Sequence, residues 1–230
     1  MLLQENKSAP DPYYEYRKKM EQILYLIRHG AAVGAETGLL YGETDLPISE
    51  AGLEEIRTFA DEGIYPDAKE AILFTSGMLR TEQTFKEIYG DKDHIKIPEL
   101  REYNLGKYEM MTAKEAEADE YCRSWLRGEL CFHDFEGGDN DDSFADRVEA
   151  GYRKMLKISQ ESAAEKIIAI VHGQVITFLL DQLFPGEFPD RWEWTPMNGL
   201  GFEVKISNGT ATSWTHMKNG EIESLQNVWF

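Results

Sequence analysis

Residues 23–30 read Ile23-Leu24-Tyr25-Leu26-Ile27-Arg28-His29-Gly30, and the architecture of the chain follows from them. A strand that buries one face alternates apolar and polar side chains. A strand covered on both faces is apolar throughout, as in a parallel sheet between layers of helix. The run then gives way to a basic residue, an imidazole and a glycine-rich loop. Two more runs repeat the pattern: Ala71 to Phe74 leads into Thr75-Ser76, and Ile167 to Val171 leads into His172-Gly173. Helical spacing separates them. Ser49 is placed to cap a helix with Leu53, Ile56 and Phe59 on one side. Thr75-Ser76 is expected to cap a helix bearing Arg80, Thr84, Phe85 and Ile88. Phe144 to Ile158 and residues 174–183 predict two more helices. Leu200 to Ile206 and Thr210 to His216 flank Asn208-Gly209, a hairpin signal. The expected fold is α/β, a three-layer sandwich whose mainly parallel central sheet is flanked by helices.

The chain has 230 residues, with 24 Lys+Arg against 42 Asp+Glu and a formal net charge of -18. Such a charge is repelled by nucleic acid and by anionic membrane surfaces, so neither is an expected partner. No apolar run approaches the ~18 residues of a membrane span. The start of the chain has neither a cationic segment nor an apolar h-region, so a secretory signal is not expected. Two cysteines, Cys122 and Cys131, suit a reducing cytoplasm better than a disulfide framework. Residues 1–20 read as a polar tail or extension. Residues 21–230 read as one domain, with an irregular lid insert at about 107–137.

Ligands of open α/β sheets sit at the carboxyl ends of the strands. Arg28-His29-Gly30, Thr75-Ser76 with Arg80, and His172-Gly173 therefore converge on one sheet edge. Guanidinium groups match phosphoryl oxygens and keep their charge at any working pH. Helix N-termini add N–H donors, and neutral imidazole is a competent nucleophile. A second histidine can carry charge and donate to the same oxygens. The set can bind and transfer a phosphoryl group with positive charge drawn from arginine instead of a metal ion.

In these residues the chain resembles the histidine phosphatase superfamily, the phosphoglycerate mutase-like proteins. The resemblance rests on Arg28-His29-Gly30, on Gly42 to Gly52 (with Asp45, Pro47 and Ser49), on Ser76 to Thr84 (with Arg80), on Leu100 to Met110 (with Glu102), on Gly137 to Val148, and on Val171-His172-Gly173. It runs from about Gln22 to Trp214. It implies that His29 is the nucleophile that becomes phosphohistidine. It implies that Arg28, Arg80, His172 and Gly173 bind the phosphoryl group, and that Glu102 is the general acid and then the base. No cofactor and no metal are implied. The substrate would be a small phosphorylated metabolite met by a small positive pocket.

Departures from the family pattern bear on substrate. Phosphoglycerate mutases carry an Asn and an Arg in the loop after Arg-His-Gly, and here those positions fall on Ala35 and Leu39. No Lys or Arg lies between Gly30 and Arg57. Retaining a doubly charged intermediate calls for extra cations, so hydrolysis of a phosphomonoester is expected over mutase transfer. A non-catalytic phospho-ligand-binding protein is the alternative from another class. Residues Tyr41 to Pro47 resemble the α-ribazole phosphatase-like branch. Met110 stands where the family has glycine.

Bland readings accompany the others. Glu109 is structural or solvated. Cys122, Cys131 and His133 fit no standard zinc spacing. Asp139 to Asp142 is a solvated helix start, since a calcium loop needs a glycine where Phe144 stands. Lys107, Arg123, Trp125, Arg127 and His133 are candidates for a lid that contacts substrate. The tail or the hairpin edge could each support a homodimer.

Overall fold

The computed structural model describes residues 21–126, 134–187 and 194–218. The tail at 1–20 lies outside them, as do Arg127, Cys131, His133 and Trp192. Six strands form one sheet: β1 (Glu21–Arg28), β2 (Ala71–Thr75), β3 (Ile95–Lys96), β4 (Lys166–Val171), β5 (Gly201–Ser207) and β6 (Thr210–His216). The spatial order is β3-β2-β4-β1-β5-β6. Strands β1 to β4 run parallel, while β5 lies antiparallel to β1 and β6 antiparallel to β5. The sheet is therefore mixed, with its parallel half nearer the functional loops.

Alternation within the apolar runs explains why both faces are dry. Leu24, Leu26, Ile167, Ala169 and Val171 pack in one core with Phe144, Val148, Val175 and Ile176. Those partners come from helices α5 (Asp141–Ser162) and α6 (Gly173–Leu183). Ile27, Ile168 and Ile170 point the other way, to a core with Phe85. That face carries α1 (Glu50–Asp61) and α2 (Leu79–Tyr89). Two short helices, α3 (Ala113–Ala116) and α4 (Glu120–Leu126), lie in the insert. Asp119 separates them by accepting the Tyr121 and Cys122 N–H groups and starting a new turn.

Ser49 caps α1 as expected, accepting the Gly52 N–H at 3.0 Å. A Cβ on Gly52 would stand 2.3 Å from the Ala31 carbonyl, so the loop after His29 passes as close to α1 as glycine allows. The start of α2 differs from expectation. Met78 is the N-cap and gives no side-chain cap, and the Leu79 N–H donates instead to Asp45 Oδ1 at 2.6 Å. Thr75 and Ser76 are thereby free for other bonds. Asn140 caps α5 through a capping box with Ser143, and Asp141 and Asp142 fill the first turn. Asn208 and Gly209 take φ 53° and 80°, the left-handed pair that a tight hairpin requires.

Candidate active site

Strand order builds the site. β2, β4 and β1 are neighbours, so the residues after each strand stand side by side at one sheet edge. The register pairs Arg28 with Val171. His29 and His172 follow directly, with ring centroids 5.1 Å apart at an angle of 64°. The His29 N–H also donates to the Val171 carbonyl at 3.0 Å.

Hydrogen bonds fix the state of each imidazole. His29 Nδ1 lies 2.8 Å from the Gly30 carbonyl, which can only accept, so Nδ1 carries the proton. Arg80 Nε donates to His29 Nε2 at 3.1 Å, so Nε2 keeps a lone pair. Arg80 is rigid for a guanidinium: it is fully buried and also donates to the carbonyls of Thr44 and Gly42 at 2.9 and 2.5 Å. Burial, reinforced by Arg80 and Arg28, holds His29 well below the usual imidazole value and keeps it neutral.

The state of His172 follows from a hydroxyl chain. Thr81 donates its one hydroxyl proton to the Met78 carbonyl at 2.7 Å. Ser76 must therefore donate across the 3.1 Å contact to Thr81. Having used its proton, Ser76 Oγ can only accept from His172 Nε2 at 2.8 Å. His172 is thus the Nε2–H tautomer, and its buried Nδ1 has no partner. Sequence reasoning allowed this ring a positive charge. Burial, with Arg80, His29 and Arg28, pushes the other way and keeps it neutral, and the ring lies buried behind the cleft lining.

Arg28 donates Nη1 to the Pro196 carbonyl at 2.8 Å, and its buried Nε is unpartnered. Gly173, at the first position of α6, packs where a Cβ would stand 3.3 Å from the Arg28 guanidinium carbon. Arg28 Nε is an orphaned buried donor that suits an oxygen-rich ligand, and His172 Nδ1 can join it once protonated.

Glu102 is 9% exposed and accepts N–H groups from Tyr103 at 2.9 Å and Gln174 at 3.2 Å. Burial raises its carboxyl above the usual range, although those N–H groups and both arginines oppose the rise. Arg147 steadies the segment from α5, donating to the carbonyls of Glu99, Arg101 and Glu102 and to Asp139 Oδ2. The sequence quotes Arg147 only as part of a motif.

Glu109 is structural, as the bland reading held. Its carboxylate accepts the N–H groups of Gly42, Glu43, Thr44 and Leu105, and the Thr44 hydroxyl. It thereby shapes the loop whose Gly42 and Thr44 carbonyls hold Arg80. No sequence pattern signals this cradle.

Above these groups opens a cleft. Its floor is Arg28, His29, Arg80, Glu102 and Gly173, and its walls are Leu39, Leu40, Tyr41, Tyr103, Leu105 and Trp125. Two guanidinium groups face one carboxyl whose ionisation is disfavoured, so the charged lining is net positive, as expected. Of the described lid candidates only Trp125 lines the cleft. Lys107 pairs with Asp119 and Glu136 at 3.3 and 3.4 Å, and Arg123 donates to the Glu117 carbonyl.

The comparisons with known proteins agree with this geometry. Adenosylcobalamin/alpha-ribazole phosphatase of Salmonella typhimurium is 24% identical over 198 residues, covering 82% of this chain and 93% of that protein. A 2,3-bisphosphoglycerate-dependent phosphoglycerate mutase of Methylobacterium radiotolerans is 28% identical over 185 residues, 74% of this chain and 84% of that one. The crystal structure of the alpha-ribazole phosphatase from Shigella flexneri superposes with a TM-score of 0.67 at 22% identity. It covers 83% of this chain and 94% of that one. Residues 24–216 match the family model of the histidine phosphatase superfamily (branch 1), and the chain belongs to that superfamily.

Proposed function

We propose that the chain hydrolyses a phosphomonoester of a small metabolite through a phosphohistidine on His29, without a metal ion. The observation that carries this reading is the His29 tautomer: Nδ1 is tied to the Gly30 carbonyl, so the lone pair is on Nε2, where Arg80 Nε donates to it until the phosphoryl group draws that guanidinium away. Nε2 attacks phosphorus, and the bond from phosphorus to the ester oxygen breaks. Protonated Glu102 gives its proton to the departing oxygen, a transfer that its raised pKa favours. Arg28, Arg80, the Gly173 N–H and His172 receive the phosphoryl oxygens. His172 takes up a proton as the dianion offsets the two arginines, and then donates from Nδ1. In the second half, Glu102 accepts a proton from water. The hydroxyl oxygen attacks phosphorus, the P–N bond breaks and its electron pair returns to Nε2, releasing inorganic phosphate.

The mutase alternative has relatives behind it, but Leu39 presents hydrocarbon to the cleft where transfer calls for a cation. Residues 107–137 serve as the lid in this reading. Buried Cys122 suits a reducing, cytoplasmic setting, and the acidic charge argues against nucleic acid as a partner. A homodimer, through the tail or the hairpin edge, is the assembly that sedimentation tests. The main test is steady-state turnover of a generic phosphomonoester in excess chelator. Turnover that disappears in His29→Ala, with acid-labile phosphate trapped on the wild-type protein, is expected. Ligand binding without turnover refutes hydrolysis, and activity confined to phosphoglycerate interconversion favours the mutase.

A further inference from the structure

Proximity of charge and hydrocarbon in the cleft specifies more than a phosphoryl group. We propose that the substrate is the phosphate ester of an aromatic or otherwise apolar alcohol that bears no second anionic group. This inference rests on the phosphatase reading of the same site.

The first argument is the wall. Leu39, Leu40, Tyr41, Tyr103, Leu105 and Trp125 surround the opening over the reactive floor. The polar end of Tyr103 is turned away to Asp141 at 3.0 Å, which leaves its ring toward the cleft. Trp125 is 4% exposed and packed edge-on to Phe135 at 5.0 Å, so it is a fixed surface. Rigid aromatic walls favour a flat, apolar ligand.

The second argument is the disposition of cations. Arg28 and Arg80 sit at the floor, where the phosphoryl group takes them. No other described Lys or Arg lines the cleft, and those on the neighbouring segments are committed: Arg101 pairs with Glu43, Lys107 with Asp119 and Glu136, and Arg123 with a carbonyl. A carboxylate or second phosphate on the substrate would meet hydrocarbon instead of a partner.

Esters with leaving alcohols of similar acidity isolate this effect from leaving-group chemistry. We expect kcat/KM for 3-phenylpropyl phosphate to exceed that for propyl phosphate on the order of 10- to 100-fold, with 3-phosphoglycerate poorest. Trp125→Ala narrows the first ratio. Leu39→Arg, which puts a cation on the wall, raises the relative rate on 3-phosphoglycerate roughly tenfold. If Trp125→Ala fails to fold, Leu39→Arg carries the test. Preference for 3-phosphoglycerate, equal rates on the phenyl and alkyl esters, or indifference to Leu39→Arg overturns the proposal. Calorimetry separates it from the chemistry beneath it. If no ester turns over, the phosphatase reading fails. Benzylphosphonate binding tighter than 3-phosphonopropionate would still uphold the wall, and the reverse order would overturn it.

Discussion

Glu102 and Glu109 stand in one segment of chain, and exchanging each for glutamine separates their tasks. Glu109 satisfies four backbone N–H groups, those of Gly42, Glu43, Thr44 and Leu105, and one hydroxyl. An unsatisfied buried donor costs about 1–3 kcal/mol; at the low end, suited to this half-buried loop, Glu109→Ala loses roughly 4 kcal/mol. Glu109→Gln keeps one acceptor oxygen but turns an NH₂ toward the remaining donors, and about 2–3 kcal/mol is expected. For a chain of this size each kcal/mol lowers Tm by about 2–4 °C, so Glu109→Gln should melt roughly 4–12 °C lower. Its kcat should also fall roughly tenfold, because Arg80 hangs on the Gly42 and Thr44 carbonyls of the loop that loosens. Glu102→Gln should do the opposite. Burial raises the Glu102 pKa above its unfolded value, so ionising it weakens the folded state as pH rises above the ordinary carboxyl range. Glutamine removes that penalty, so Tm at pH 7.5 should hold or rise while turnover collapses by about 10²–10⁴. Calorimetric melting of both variants, beside turnover of one phosphomonoester, is the assay. A Glu109→Gln protein with unchanged Tm and kcat would refute the cradle argument. A Glu102→Gln protein that keeps its rate would remove Glu102 from the acid role.

Three further outcomes follow from the same structure. Ser76→Ala frees His172 Nε2, so the two tautomers should mix, kcat should fall about tenfold, and nitrogen chemical shifts of the ring should report the mixture; shifts identical to wild type would sink the hydroxyl-chain assignment. His29 and His172 both have folded pKa values below their unfolded ones, so the folded state binds fewer protons. Stability should be full above about pH 6.5 and fall as pH drops below it, and in urea titrations His172→Gln should flatten that slope. Met110 holds φ 67° while 46% exposed, a left-handed backbone with little packing to lose. Met110→Gly should therefore stabilise by about 1 kcal/mol, and a lower Tm would show that its side chain is needed.

The parallel half of the sheet was legible because β1, β2 and β4 are unbroken apolar runs ending in polar, glycine-bearing loops. The convergence of Arg28, His29, Arg80 and His172 on one edge was legible for the same reason, whereas Glu102 came only from the family resemblance. β3 was not, since Ile95–Lys96 is too short to show any period. The cap on α2 was misread, because the group that accepts its N–H is Asp45 from a distant loop. Local reading favours the nearest hydroxyl, and that hydroxyl was needed beneath His172. The Glu109 cradle was hidden because its donors are backbone groups, which carry no sequence identity. The neutral state of His172 without ligand was not legible, because charge on a ring depends on burial and on neighbours that only folding assembles.

The chemical floor and the aromatic wall rest on unequal supports. The floor follows β1 and β4, each hydrogen-bonded on both sides within the sheet. Trp125 belongs to α4, whose seven residues, like the four of α3, are below the about 12–15 at which a helix holds itself. Segments of that kind open locally long before the global transition, while central strands open with it. On warming, then, discrimination between substrates should fade while turnover persists: a promiscuous hydrolase would emerge a few degrees before an inactive one.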